Sequence, residues 1–237
     1  MSGTGRIAVI PARGGSRRLP RKNVLPVRGR PMIAWTVSAA RDSGVFERIL
    51  VTTDDSGIAD AARMDGITIL DRPPDLAGDD VPLVRVLQHV LADHGAQVTA
   101  ACLLMPNCPF RTAGDIRASA QQFAQTGAAS LMSVVAYDWR RPDWALAMAA
   151  DRRLAFAYRD RVPAPTDRSP RLVCPTGAIR WVAVDRFLAD PRFYTDDVEG
   201  FELPWQRALD IDEPADLVWS NLIALALDHG FDFGEAA

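Results

Sequence analysis

The chain has 237 residues, 48% of them hydrophobic and 24% charged, with a formal net charge of -3. That balance fits one α/β domain with a sizeable core and excludes a collagen-like or disordered chain. The slight negative charge gives no overall attraction to nucleic acid or an anionic membrane, so any phosphate binding has to come from a local basic cluster. Cys102, Cys108 and Cys174 have no paired or metal-ligand spacing and read as free thiols, which predicts a reducing, cytoplasmic setting. The apolar run from Ile7 to Ile10 is too brief for a signal-peptide core or a membrane span.

In chain order, short runs rich in β-branched residues alternate with segments of helical period. Strands are predicted at Arg6–Ile10, Arg48–Thr52, Ile67–Leu70, Ala100–Met105, Ala129–Val135 and Ala178–Val184, and helices at Met32–Ser43, Ser56–Asp65, Val81–His94, Ala113–Thr126 and Pro214–Asp228. The alternation predicts a doubly wound, Rossmann-like α/β fold with a mostly parallel sheet. Residues 137–171 break the rhythm with Trp139, Trp144, Pro163, Pro165 and Pro170. Such a stretch is a poor central strand. It reads as a small protruding arm, either a lid over the site or a dimer contact, or else as a plain surface loop.

Directly after the first strand comes Ile10-Pro11-Ala12-Arg13-Gly14-Gly15-Ser16-Arg17-Arg18-Leu19-Pro20-Arg21-Lys22-Asn23. In an open α/β sheet ligands bind at this position. Gly14 and Gly15 let the backbone next to Ala12 turn its amides toward an anion, and Arg13, Arg17, Arg18, Arg21 and Lys22 surround it with positive charge, which suits a triphosphate. No Gly-Lys-Ser/Thr follows, so this is not the Walker pattern, and the glycine spacing is not that of a dinucleotide fingerprint.

Near the other end, Asp210-Ile211-Asp212 precedes a proline-started helix. An extended chain there projects both carboxylates to one side and Ile211 to the other. Two converging carboxylates suit Mg2+, which takes one or two of them together with waters and substrate phosphates.

The N-terminal string resembles the signature of the acylneuraminate cytidylyltransferases, the CMP-sialic acid synthetase family. The likeness continues through Gly29-Arg30-Pro31-Met32-Ile33, Val51-Thr52-Thr53-Asp54-Asp55, Arg72-Pro73-Pro74-Asp75-Leu76-Ala77-Gly78-Asp79 and Ala208-Leu209-Asp210-Ile211-Asp212. The resemblance implies that CTP and an acidic sugar of the sialic type give a CMP-sugar and pyrophosphate. It carries Arg13, Ser16, Lys22 and Asn23 over as nucleotide-binding residues, with Arg13 and Lys22 on phosphate oxygens, and implies base- or ribose-side contacts from the stretch holding Arg72 and Asp79. Asp210 and Asp212 become metal ligands, one of them also helping to deprotonate the sugar hydroxyl, while Asp54 and Asp55 support the site from behind. A homodimer is expected of the family.

On the acceptor side the chain departs from that pattern. Leu104-Met105-Pro106-Asn107 has Met105 where the family has glutamine, and Thr176-Gly177-Ala178-Ile179-Arg180 has Thr176 for asparagine and Arg180 for tyrosine. Met105, Asn107, Thr176, Gly177 and Arg180 are therefore acceptor-site candidates. Arg180, Arg168 or Arg171 is expected to clamp a carboxylate or another planar anion, or else Arg180 faces solvent with no such role. A pseudaminic- or legionaminic-type acid, a phosphonate, or Kdo remains open as acceptor; the Gln-Gly-Asp of the Kdo enzymes is missing. A rival of another class is a catalytically silent, nucleotide-binding relative.

Overall fold

A computed structural model of the chain describes residues 5–137, 142–158, 171–231 and 233. The main sheet is built from β1 (Arg6–Pro11), β4 (Arg48–Thr53), β5 (Ile67–Asp71), β6 (Ala100–Leu103), β7 (Ser130–Ala136), β10 (Val173–Ala183) and β11 (Val198–Glu202). Their spatial order is β11-β7-β10-β6-β1-β4-β5. β1, flanked by β4 and β6, is buried at every residue after Arg6, as expected for a strand covered on both faces.

All the pairings in this sheet are parallel except those of β10, which runs antiparallel to both β6 and β7. One face carries α1 (Met32–Ser43), α2 (Ser56–Ala62) and α4 (Ala113–Thr126), which bury Ile33, Val37, Ile58, Ile116 and Phe123 against Ala8, Ile10 and Val51. The other carries α3 (Leu83–His94) and α5 (Val184–Ala189), whose Leu87, Val90 and Phe187 cover Ile7, Val9 and Leu103. The doubly wound expectation is met.

Local chemistry fixes several helix ends. Thr112 and Asp115 form a reciprocal capping box at the start of α4, and Gly44 at φ 67° closes α1. α6 (Pro214–Asp228) starts with a proline at its first turn and a second capping box in which Asp216 accepts from the amides of Asp212 (2.9 Å) and Glu213 (2.8 Å). This cap also restrains the backbone of Asp212.

Two short elements, β2 (Pro26–Val27) and β3 (Arg30–Pro31), make a small hairpin ahead of α1. Beyond β7, β8 (Leu146–Met148) and β9 (Leu154–Phe156) pair antiparallel in a sheet of their own. The described part of the 137–171 stretch is therefore an excursion from the main sheet, while Trp139, Pro163, Pro165, Arg168 and Pro170 lie outside the described residues.

A third apolar cluster matters most for function. Leu19 and Val27 from the N-terminal loop region, Met32 and Phe110, and Ile211, Ile223 and Ala224 from the C-terminal part are buried together. Each large side chain so buried contributes ~1.5–3 kcal/mol. This cluster draws residues as far apart in sequence as Leu19 and Ala224 to the same end of the sheet.

Candidate active site

At the carboxyl ends of β1 and β6 lies a cleft of about 550 Å3, lined by the basic loop on one side and by Met105, Asn107, Asp210 and Asp212 on the other. Arg72, Leu76, Asp79, Leu83 and Val86 form a further wall. The position is the one dictated by an open α/β sheet, where the loops leaving the strand ends splay apart.

The basic loop is held from behind. Ala12 donates its amide to the Thr52 carbonyl at 3.0 Å, Gly14 donates its amide to Asp54 Oδ1 at 2.9 Å, and Asn23 Nδ2 donates to the Arg13 carbonyl at 3.0 Å. Asp54 thus supports the loop, as expected of it. A β-carbon at Gly14 would stand 2.9 Å from Asp55 Cβ and 2.9 Å from its Oδ2, so the close approach of backbone to Asp55 requires glycine there.

Arg72 is buried and donates to the Thr52 carbonyl at 2.8 Å and to its hydroxyl at 3.4 Å. Burial, with Arg13 adding to it and Asp54 opposing, brings its guanidinium down to about 10. It lines the cleft with its charge intact at neutral pH.

The loop's cations meet the C-terminal acids. Lys22 Nζ lies 2.6 Å from Asp212 Oδ1, and Arg18 Nη2 lies 2.6 Å from Asp212 Oδ2. On the far wall Arg13 and Arg17 both pair with Asp79. Asn107 donates its side-chain amide to Asp210 Oδ1, to Asp212 Oδ1 at 3.1 Å and to the Ile211 carbonyl at 3.4 Å, and its own carbonyl accepts from the Ile211 amide at 2.9 Å. A residue expected on the acceptor side therefore also braces the carboxylate pair.

Ile211 is fully buried, which turns Asp210 and Asp212 toward the cleft, as the alternation of an extended chain requires. The two acids titrate apart. Burial, reinforced by the charge on Asp212, pushes Asp210 up to about 6. Asp212 is also pushed up by burial, but Lys22 and Arg18 outweigh that and hold it below the ordinary carboxylate value.

Two like-charged oxygen donors, one of them raised by its neighbour, make a hard-oxygen set of the kind a divalent cation neutralises. Among the described residues no third His, Cys, Asp or Glu joins them in a closed cage. That donor set fits Mg2+, which keeps waters and substrate oxygens in its shell, and not an all-protein cage.

The acceptor-side candidates divide. Met105 lines the cleft, and Gly177 packs against it: a β-carbon on Gly177 would stand 3.0 Å from Met105 Cγ and 3.4 Å from Asp210 Oδ2. Thr176 and Arg180 are not among the residues lining the cleft. The Thr176 hydroxyl is buried against Ser133 Oγ at 2.6 Å, in the part of β10 where the register with β7 shifts between Pro175 and Arg180. Arg180 faces neither open solvent nor the cleft lining. Its guanidinium stacks 4.6 Å from the Phe193 ring centroid and 5.5 Å from that of Tyr194, on the sheet face that carries α3 and α5. Both residues, acceptor-site candidates by the family resemblance, thus stand apart from the residues that line this cleft. Arg168 lies outside the described residues.

Sequence reasoning missed Arg111. It is fully buried and donates to the carbonyls of Ala178 and Met105 and to the Thr36 hydroxyl, tying β10, the loop after β6 and α1 together beneath the acceptor wall. Nothing in its local sequence distinguishes a buried arginine from an exposed one.

Residues 7–138 match the sequence model of a family described as cytidylyltransferase. An N-acylneuraminate cytidylyltransferase of Streptococcus agalactiae is 26% identical over 214 residues, covering 90% of this chain and 51% of that protein. A CMP-N,N'-diacetyllegionaminic acid synthase of Legionella pneumophila is 37% identical over 142 residues, covering 58% of this chain and 60% of that protein. The chain thus spans about half the length of the first of these relatives and less than two thirds of the second. Among solved structures, CMP:2-keto-3-deoxy-manno-octonic acid synthetase complexed with CTP superimposes with a TM-score of 0.68 at 19% identity, covering 94% of this chain and 99% of that one. That likeness bears on the fold.

Proposed function

This chain belongs to the cytidylyltransferase family, and from that premise we propose that it joins CMP, taken from CTP, to an acidic sugar of the nonulosonic type in a Mg2+-assisted reaction. The observation that carries the reading is the meeting of Lys22 with Asp212 across one cleft, 2.6 Å apart. The names of the curated relatives supply the acceptor class, since N-acylneuraminate and diacetyllegionaminic acid are both sugar acids.

In the proposed reaction a hydroxyl oxygen of the acceptor forms a bond to the α-phosphorus, the bond from that phosphorus to the bridging oxygen breaks, and pyrophosphate leaves. The hydroxyl proton passes to a base, for which the Asp210 carboxylate, raised toward neutrality, is suited. Arg13, Arg17, Arg18 and Lys22 offset the charge that collects on the departing pyrophosphate. Gly14, Gly15 and Ser16 shape the loop around the phosphates, Asn23 fixes the loop through the Arg13 carbonyl, and Arg72 borders the nucleoside side. Asp210 and Asp212 would hold Mg2+, steadied by Asn107; when bound, the ion supplies Lewis-acid stabilisation and orientation of phosphate oxygens. Positioning and electrostatics carry the rest of the rate.

Met105, packed against Gly177, gives the acceptor wall a thioether, which donates no hydrogen bond. The acceptor in this reading therefore presents an apolar or unsubstituted edge there. Burial of Cys102 and Cys108 as free thiols supports a reducing, cytoplasmic setting, and among the described residues no helix is long and apolar enough to cross a membrane.

The test is pyrophosphate release measured with each of four nucleoside triphosphates against N-acetylneuraminate, legionaminate, pseudaminate and Kdo. CTP with one of these acids should support release that EDTA abolishes. Binding of CTP without release for any pair would identify a silent nucleotide-binding relative instead.

A further inference from the structure

Four cations of the basic loop face the cleft, and each is already matched to an acid. Arg18 and Lys22 converge on Asp212, which the proposed metal site accounts for. Arg13 and Arg17 converge on Asp79, which no step of the reaction uses. Arg13 Nη1 pairs with one carboxylate oxygen of Asp79 and Arg17 Nε with the other. Asp79 lies between a short turn at Pro74–Leu76 and the start of α3, on the wall opposite Asp210 and Asp212, with its side chain 22% exposed.

A carboxylate that offers one oxygen to each of two guanidinium groups reproduces what two oxygens of a phosphate would offer them. We propose that Asp79 is a specificity-determining residue. It occupies the anion seat between Arg13 and Arg17 as an internal surrogate for phosphate, and thereby rejects small anions while admitting a triphosphate. The proposal rests on the reading of this cleft as a triphosphate site.

The discrimination follows from counting partners. Inorganic phosphate entering the seat exchanges one anion for another between the same two arginines and leaves Asp79 in the cleft with neither of its cations. A metal-chelated triphosphate also reaches Arg18 and Lys22 and brings a cation to the acids, so it has further contacts with which to displace Asp79. A cell contains far more phosphate than CTP. A seat left open between Arg13 and Arg17 would take phosphate with no anion to displace, which Asp79 prevents.

The experiment is isothermal titration of inorganic phosphate and pyrophosphate in EDTA, and of CTP with Mg2+, into the full chain and its Asp79→Asn, Asp79→Glu and Asp80→Asn variants. Asp80 is exposed and adjacent, so Asp80→Asn changes net charge equally without vacating the seat. Asp79→Asn should bind phosphate and pyrophosphate about three- to thirtyfold more tightly, with CTP·Mg2+ gaining less. Asp79→Glu and Asp80→Asn should stay close to the wild type. Asp79→Ser gives the same readout should the asparagine variant fold poorly.

Unchanged or weaker phosphate binding by Asp79→Asn overturns the proposal, because the carboxylate is then a support of the loop and not a competitor. An equal gain from Asp80→Asn overturns it as well, by reducing the effect to general charge. Binding is read without acceptor, so absence of transfer with intact CTP binding would sink the transferase reading and leave the Asp79 result standing.

Discussion

Lys22 and Asp212, separated by 190 positions in sequence, share a 2.6 Å contact in which the ammonium donates to Oδ1. The contact joins the loop after the first strand to the segment before the last helix, and it is the shortest statement of how this cleft is assembled. Removing either partner leaves a charge facing a cleft that was balanced. Lys22→Ala and Asp212→Ala are each expected to lower kcat by at least a hundredfold, measured as pyrophosphate release, with circular dichroism confirming the fold. Retention of more than a tenth of wild-type turnover in either variant would contradict the assigned roles.

Asp210 links activity and stability with opposite signs. Its folded-state value of about 6 stands above the ordinary carboxylate range, so the folded protein binds the proton more tightly than the unfolded chain. The stability from this group is complete below about pH 4 and is lost as pH rises through 6. In EDTA, wild-type protein should lose stability relative to Asp210→Asn between pH 4 and pH 7, by up to about 1 kcal/mol because solvent screens this partly exposed residue. The variant should be the more stable at pH 7 and inactive. Urea denaturation at the two pH values checks the sign.

Ile211 aims both acids by burying itself. Ile211→Ala should cost about 2–5 kcal/mol and Ile211→Val about 0.5–1.5 kcal/mol. At a temperature where both remain folded, the alanine variant should show the larger fall in kcat, since the carboxylates lose their registration against Asn107. A destabilised Ile211→Ala with wild-type kcat would show that the pair is aimed by other means.

The two tightly packed glycines separate the two halves of the site. Gly14→Ala presses a methyl group against Asp55 and should weaken CTP binding. Gly177→Ala presses on Met105 and approaches Asp210, and should raise the acceptor KM while leaving CTP affinity unchanged. Tritrating CTP alone, then varying the acceptor at saturating CTP, tells the two effects apart.

The β8–β9 hairpin places Leu146 opposite Phe156 and Met148 opposite Leu154, all four exposed in the single chain. A two-stranded hairpin is marginal alone in water, and this apolar face supports the expected homodimer. Light scattering should give twice the chain mass for the wild type and a reduced mass for Met148→Glu. A monomeric wild type would remove the dimer from the account.

The chain's own periodicity announced much of this. The predicted limits of α1, α4 and α6 coincide with the observed ones, because each carries either a cap or a helix-ending glycine in addition to apolar spacing. The loop at Arg13–Lys22 and the pair at Asp210 and Asp212 were legible from charge and spacing read together with the family resemblance, and the structure brings them together. The antiparallel direction of β10 was not, since an apolar run carries no sign of which way it is traversed. Thr176 was singled out by the family resemblance, which does not carry the hydroxyl's partner Ser133 on a neighbouring strand. Arg180 and Asp79 depend on partners outside their own elements, Phe193 beyond the next helix for one and the distant Arg13 and Arg17 for the other.

The apolar cluster of Leu19, Val27, Met32, Phe110, Ile211, Ile223 and Ala224 also sets a timetable. On a ribosome the basic loop emerges well before the side chains that seat it against the rest of the cleft. Nascent chains halted short of α6 should therefore show no nucleotide grip, however complete their first strands, and competence should arrive abruptly once residue 224 clears the exit tunnel.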